Sequence, residues 1–350
     1  MPLREWPSAD RELWLAAIRQ EDLLEGGGAR SGLRPTSNRK MERGYGRFLT
    51  FMNLAGLCTE NIPAVDQISE PVVRRYVREL RELGNSTGTL LGRLQELHDV
   101  VRSMRPDRDW SWIRGVASRI RSNHLPSIKK RHRMVATDDL LRLGQQLMQA
   151  APRKKSLKGS ALEYRDGLLL ALLALRPLRL RNLAALDLDR TLLRERDAFR
   201  ISFDGNETKN GSPLSFPWPD VLLEPLIEWL EGYRPELARQ TNRWTRRIGG
   251  ALWVSSHGSP MTKQAIYDRV AKRTAQAFGA AINPHLFRDI AATTQAIEDP
   301  KHIRITAALL GHKTFATTER FYLQGRMLES TGRYQDGLLA LRSDLRRAKP

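Results

Sequence analysis

From Asn123 to Ala136 the helical apolar rhythm of the chain stops, and a run of cations, Lys129-Lys130-Arg131-His132-Arg133, takes its place. No other feature constrains the fold as strongly, because a stretch this polar cannot carry one hydrophobic core across it. The 350 residues are enough for a separate core on either side. On the N-terminal side, residues 8–24 read as a short helix with Ser8 as its N-cap. Gly26-Gly27-Gly28 then ends that helix and begins a polar arm. From 37 to 122 the spacing is helical throughout. One stripe holds Tyr45, Phe48, Leu49 and Met52, a second Val72, Val73, Val77 and Leu80, and a third Leu90, Leu94 and Leu97.

On the C-terminal side, Thr137 is placed to cap a helix, and helices are expected near 137–150, 160–176 and 179–187. Phe199–Phe203 and Leu214–Phe216, around a Gly/Asn-rich turn, read as an antiparallel strand pair. Helix returns at 219–231, a short strand at Leu252–Val254, and helices near 262–278, 284–297, 302–310, 314–323 and 328–346. The expected fold class is mainly α with a small antiparallel β-sheet. Its parts are an N-terminal helix and arm (1–36), a helical domain (37–122), a basic linker (123–136), an α+β domain (137–325) and a tail helix (326–350).

Lys and Arg number 58 against 39 Asp and Glu, a formal net charge of +19, and the isoelectric point is about 10.6. That excess points to a polyanionic partner, nucleic acid before a membrane surface. The single cysteine, Cys58, excludes an internal disulfide and any cysteine-based metal site, which fits a reducing compartment. The first residues lack an apolar signal core, and the longest apolar run, Leu168–Leu175, falls well short of the ~20 residues that span a bilayer. A soluble, cytoplasmic protein is expected.

The chemistry lies in the last third. His285-Leu-Phe-Arg288 places two side chains one turn apart on a helix that opens with Pro284, where a missing N–H costs nothing. Leu310-Gly311-His312 follows, and Tyr322 stands ten residues beyond that histidine. Fixed cations aimed at the equatorial oxygens of a phosphoryl group supply most of the catalysis in its transfer. Arginine suits that task because its planar fork bonds two oxygens at once and stays charged. Taken alone, His-x-x-Arg is equally a surface hydrogen-bonding pair, and a single histidine is usually structural. The ordered series is what carries weight.

That series resembles the tyrosine recombinase (phage integrase) family, whose pattern runs Arg, a hairpin Lys, His-x-x-Arg, His or Trp, then Tyr. Pro177-Leu178-Arg179-Leu180-Arg181-Asn182-Leu183 is similar to the family's first box. The leucines at 183 and 186 fit the family's count only from Arg179, not from Arg176 or Arg181. Pro177 stands where the family usually has Gly, and Asn182 where an acid is common. Thr208-Lys209 resembles the hairpin turn, and Leu309–Thr314 the Leu-Gly-His box, the most specific text in the chain. The resemblance implies a two-domain architecture, a helical core-binding domain followed by an α+β catalytic domain. It implies six catalytic residues: Arg179, Lys209 as general acid, His285 as the likelier base, Arg288, His312 and the nucleophile Tyr322.

A metal- and ATP-independent strand transfer through a 3′-phosphotyrosine is then expected, with no cofactor, on double-stranded DNA and within a homotetramer joined by the tail helix. Phosphate contacts are expected from Lys40, Arg43 and Arg47, on the polar side of their helix, and from Lys129, Lys130, Arg131 and Arg133. Two alternatives stand beside site-specific recombination: a monomeric type IB topoisomerase-like enzyme, and a non-catalytic DNA-binding regulator.

Overall fold

A computed structural model describes residues 1–21, 26–59, 62–122, 133, 135–209, 211–240 and 249–298. The chain divides into two units, Met1–Ser127 and Ile128–Pro350. The helices expected at 302–310, 314–323 and 328–346 lie outside the described residues. Among the described residues no helix is long and apolar enough to cross a membrane.

Among the described residues the first unit has five α-helices, α1 (Ser8–Ile18), α2 (Pro35–Leu54), α3 (Glu70–Glu82), α4 (Thr87–Met104) and α5 (Ser111–Ser122). Tyr45, Phe48, Leu49 and Met52 of α2 pack with Val73, Tyr76, Leu94, Leu97 and Ile113 into one core, as their helical spacing requires. Residues 1–36 contribute to that core through Trp6 and Trp14. Buried Asp10 is the polar tie: it accepts from the Tyr45 hydroxyl at 2.6 Å and from the Ala64 and Val65 amides at 2.7 and 3.0 Å. Helix α1 ends at Ile18, short of the expected residue 24, because the returning chain takes its last carbonyls: Arg30 N–H donates to Ala17 O and Gly28 N–H to Arg19 O. Ser8 is the first helical residue there rather than the cap, which is Pro7.

The second unit opens with α6 (Thr137–Ala150) and α7 (Leu157–Leu175). These cross almost backbone to backbone: a Cβ on Gly144 would sit 2.7 Å from the Ala171 nitrogen and 2.8 Å from the Gly167 carbonyl. Helix α7 is buried nearly all round, so its Leu-rich run is core rather than membrane. Short α8 (Leu180–Ala184) leads to a three-stranded antiparallel sheet ordered β1 (Leu192–Glu195), β2 (Ala198–Phe203), β3 (Leu214–Pro217).

The β2–β3 pair is the expected hairpin, with Ile201 opposite Phe216. Strand β1 escapes sequence reading because Leu-Leu-Arg-Glu shows no clean alternation and its turn rests on Arg196 in the left-handed region, φ 49°. Leu252–Val254, expected as a strand, joins no sheet and forms only isolated bridges, Asp187–Ala251 and Val254–Pro260, at its edges. Those residues are buried core, and the Trp229 indole donates to Leu252 O at 3.1 Å.

The chain continues through α9 (Leu223–Glu228), a π-helical turn at Trp229–Tyr233 and α10 (Arg234–Ala238), then α11 (Lys263–Phe278) and α12 (Pro284–Glu298). Thr137, expected as an N-cap, is instead the first residue of α6. Its hydroxyl pairs at 2.9 Å with that of Thr294, which fixes α12 against α6. An ion network ties α7 to α11. Asp166, with 1% of its side chain exposed, accepts from Arg165 at 2.7 Å, from Arg269, and from Arg273 at 2.8 Å, while Arg273 also reaches Glu163 at 2.6 Å.

Candidate active site

Helix α7 must stop before Pro177, which has no N–H to continue the ladder. The chain turns tightly there, Leu178 N–H donating to Arg176 O at 2.7 Å, and Arg179 becomes the N-cap residue of α8. Among the described non-glycine residues only Asp189 and Arg196 have positive φ, so the loop needs no glycine at 177 and proline fits it.

Helix α12 brings the second arginine. Asn283 Oδ1 accepts from the His285 and Leu286 amides, both at 3.0 Å, and Pro284 occupies the first position. Leu286, Phe287 and Ile290 are buried, which turns Arg288 inward to 7% exposure. Its Nη1 donates to Pro177 O at 2.6 Å and so meets the loop that carries Arg179.

Arg179 and Arg288 line one pocket with Arg176, Pro177, Leu178, Asn182, Leu214 and Phe216. Burial pushes the Arg288 guanidinium down to about 10, the nearby Arg179 charge adds to that, and Asp289 partly opposes it. Arg179 is lowered by burial as well. Both stay cationic near neutral pH. Asp289, to which the sequence gives no role, thus acts on the electrostatics of its neighbour. Cations held against an apolar wall interact with an anion more strongly than they would in water, so the arrangement suits a phosphodiester.

Lys209 is exposed at the end of the β2–β3 turn. That turn is built by the Asp204/Glu207 capping box and by buried Thr208, whose hydroxyl bonds Ser212 O at 2.7 Å. His285 is exposed on the first turn of α12. Neither lines the arginine pocket. His312 and Tyr322 lie outside the described residues, as do Lys129, Lys130 and Arg131, and Arg133 is exposed. Sequence reading passed over Arg176 and Asn182. The leucine count selects one arginine from the box and gives no reason to keep a second.

In the first unit Lys40, Arg43 and Arg47 line a groove with Thr36, Arg39, Arg93 and Glu96. Arg39 and Arg93 are additions to the expected basic stripe. Glu96 is buried among these cations, 2.6 Å from Arg93, 3.6 Å from Lys40 and 3.9 Å from Arg47. Among the described residues no group of three or more His, Cys, Asp or Glu side chains is placed to hold a metal ion.

No protein-family model matches the chain. It is 27% identical over 259 residues to the tyrosine recombinase XerC of Mycobacterium leprae (strain TN), covering 73% of this chain and 80% of that protein. A 159-residue match, also 27% identical, relates it to the tyrosine recombinase XerD of Staphylococcus aureus (strain N315), covering 45% of this chain and 50% of that one. Two solved structures share the fold. XerH site-specific recombinase bound to its difH substrate has a TM-score of 0.55 at 15% identity, covering 85% of this chain and 80% of its own. The Tn1549 transposon integrase with transposon right end DNA has 0.58 at 14%, covering 94% and 100%. These similarities support the resemblance to the tyrosine recombinase family carried by the motifs.

Proposed function

We propose that this protein is a site-specific DNA recombinase that cuts and rejoins duplex DNA through a 3′-phosphotyrosine, with Tyr322 as nucleophile. The observation that carries the reading is the convergence of Arg179 and Arg288, from distant stretches of chain, on one pocket. A tyrosine hydroxyl titrates near ~10 and attacks poorly at neutral pH, so it needs a base and a stabilised transition state. In the proposed step the Tyr322 oxygen attacks the scissile phosphorus while His285 takes the phenolic proton. The bond to the 5′ oxygen breaks, and Lys209 protonates that oxygen. Arg179, Arg288 and His312 hold the charge on the non-bridging oxygens. The 5′ hydroxyl of another strand then reverses the reaction. The phosphodiester energy is kept in the tyrosyl bond, and no nucleotide is consumed.

Two duplexes and four protomers are needed for a full exchange, with the tail helix (326–350) bridging neighbours. Lys40, Arg43 and Arg47, with Lys129, Lys130, Arg131 and Arg133, contact the DNA phosphates and set register rather than sequence preference. The protein acts in the cytoplasm, where its DNA lies. Nicked suicide duplexes drawn from the DNA flanking the gene, incubated without metal and run on a denaturing protein gel, test this reading. A covalent adduct that disappears in Tyr322→Phe supports it. An adduct that persists refutes the nucleophile, and binding without adduct on every duplex refutes the activity.

A further inference from the structure

Arg176 ends α7 and lines the same pocket as Arg179 and Arg288. Its guanidinium lies over the Phe216 ring, 5.9 Å from the centroid, and its Nη1 donates to Leu175 O at 3.2 Å. Its Nε is buried and has no acceptor. Asn182, 3% exposed on the same pocket, likewise buries an Nδ2 with no acceptor. Buried donors nearly always find acceptors in a folded protein. Two of them in one pocket, beside two further guanidiniums, mark a place for a ligand rich in oxygen acceptors. None of the described lining residues is acidic.

We propose that Arg176 and the Asn182 amide contact the scissile phosphate directly, together with Arg179 and Arg288, so that the pocket is a cradle of three arginines and an amide. The proposal rests on the recombinase reading above. Phe216 holds the Arg176 plane in place, as cation–π stacking does for a guanidinium. Asparagine at 182 keeps the cradle's positive charge whole, where a carboxylate would draw Arg176 onto itself.

The test pairs variants with a chemically altered substrate. Suicide duplexes are prepared with the ordinary scissile phosphodiester, or with a methylphosphonate there that removes the negative charge and one non-bridging oxygen. Initial rates of covalent adduct formation are measured for the wild type, Arg176→Gln and Asn182→Asp. Arg176→Gln is expected to slow adduct formation on the order of 100-fold on the phosphodiester and only about threefold on the methylphosphonate. Asn182→Asp, nearly isosteric and so a safeguard should the first variant fold poorly, is expected to show the same asymmetry. Equal losses on both substrates, or no loss on either, would overturn the contact while leaving the recombinase reading intact. No adduct from the wild type on any duplex would overturn that reading, and the proposal with it.

Discussion

Two arginine clusters among the described residues of the second unit behave in opposite ways. Around Asp166, the guanidiniums of Arg165, Arg269 and Arg273 are met by two acids, Asp166 and Glu163, and the result is a buried brace between α7 and α11. In the pocket before α8, Arg176, Arg179 and Arg288 lie among apolar residues and an asparagine, with no acid among the described lining residues. Burial of arginine is common to both. What distinguishes them is that buried carboxylates take the guanidiniums of the first, whereas the Arg176 Nε and Asn182 Nδ2 donors of the second have no acceptor. An acid-braced cluster stabilises the fold, whereas buried donors without acceptors cost stability until an oxygen-rich ligand arrives.

Breaking the acid-braced cluster should give the largest effect. Burial alone would raise Asp166, but Arg165, Arg269 and Arg273 outweigh burial and hold its carboxyl below the usual range. Asp166→Asn leaves Arg165 and Arg269 without their carboxylate and Arg273 with Glu163 alone, and is expected to cost about 3–5 kcal/mol in urea unfolding. The sign of the pH dependence follows from the lowered value. The stabilisation is fully present above the ordinary carboxylate range and is lost as acid takes the pH down through the depressed folded value. A stability loss under about 1 kcal/mol would mean that the acids do not carry the cluster.

Breaking the pocket cluster should reverse the pattern. Arg179→Gln is expected to slow covalent adduct formation by about 10²–10³-fold and to change unfolding free energy by less than about 1 kcal/mol. An Arg179→Gln protein that unfolds as readily as Asp166→Asn would erase the distinction between strut and site.

Steric room gives a smaller effect in the first unit. A Cβ on Gly44 would lie 2.6 Å from Glu96 Oε2 and 2.7 Å from Glu96 Cβ, so Gly44 makes space for the acid at the centre of the basic groove. Gly44→Ala is expected to cost about 1–3 kcal/mol through overpacking, despite alanine's better helix propensity. A stabilised Gly44→Ala protein, read by thermal unfolding, would mean that α2 and α4 shift apart without cost.

These clusters also separate what the sequence states from what it conceals. Periodicity exposes the α2 stripe, the hairpin from Phe199 to Phe216 and the α12 helix, because each is a local pattern with a long run to average over. The His-x-x-Arg spacing, with Pro284 ahead of it, likewise reads as a helix start, but the Asn283 cap and the burial of Arg288 do not show in it. The partners of each cation are not legible. Arg288 meets Pro177 across 111 positions and Arg269 meets Asp166 across 103, and no local pattern announces either pairing. Position 182 reads only as a departure from the family pattern, although its amide is one of the pocket's two buried donors without an acceptor. Strand β1 was missed because four residues without alternation give no periodic signal.

The basic groove of the first unit is intermediate between the two clusters, and its smallest predicted effect probes that position. Five cations, Arg39, Lys40, Arg43, Arg47 and Arg93, share one lining acid, Glu96. Glu96 holds Arg93 closely at 2.6 Å and Lys40 and Arg47 more loosely, so it orders the groove and also offsets part of its charge. Glu96→Gln keeps the shape that Gly44 accommodates but removes the offset. If the groove receives DNA phosphates, the variant should bind duplex DNA a few-fold more tightly at low salt, and the slope of log affinity against log salt should steepen by about one phosphate's worth, roughly 0.9. Fluorescence anisotropy on a labelled duplex across a salt series measures both quantities. An unchanged slope would make Glu96 and its cations a strut like the Asp166 cluster, and the DNA contact would have to lie on another face of the first unit.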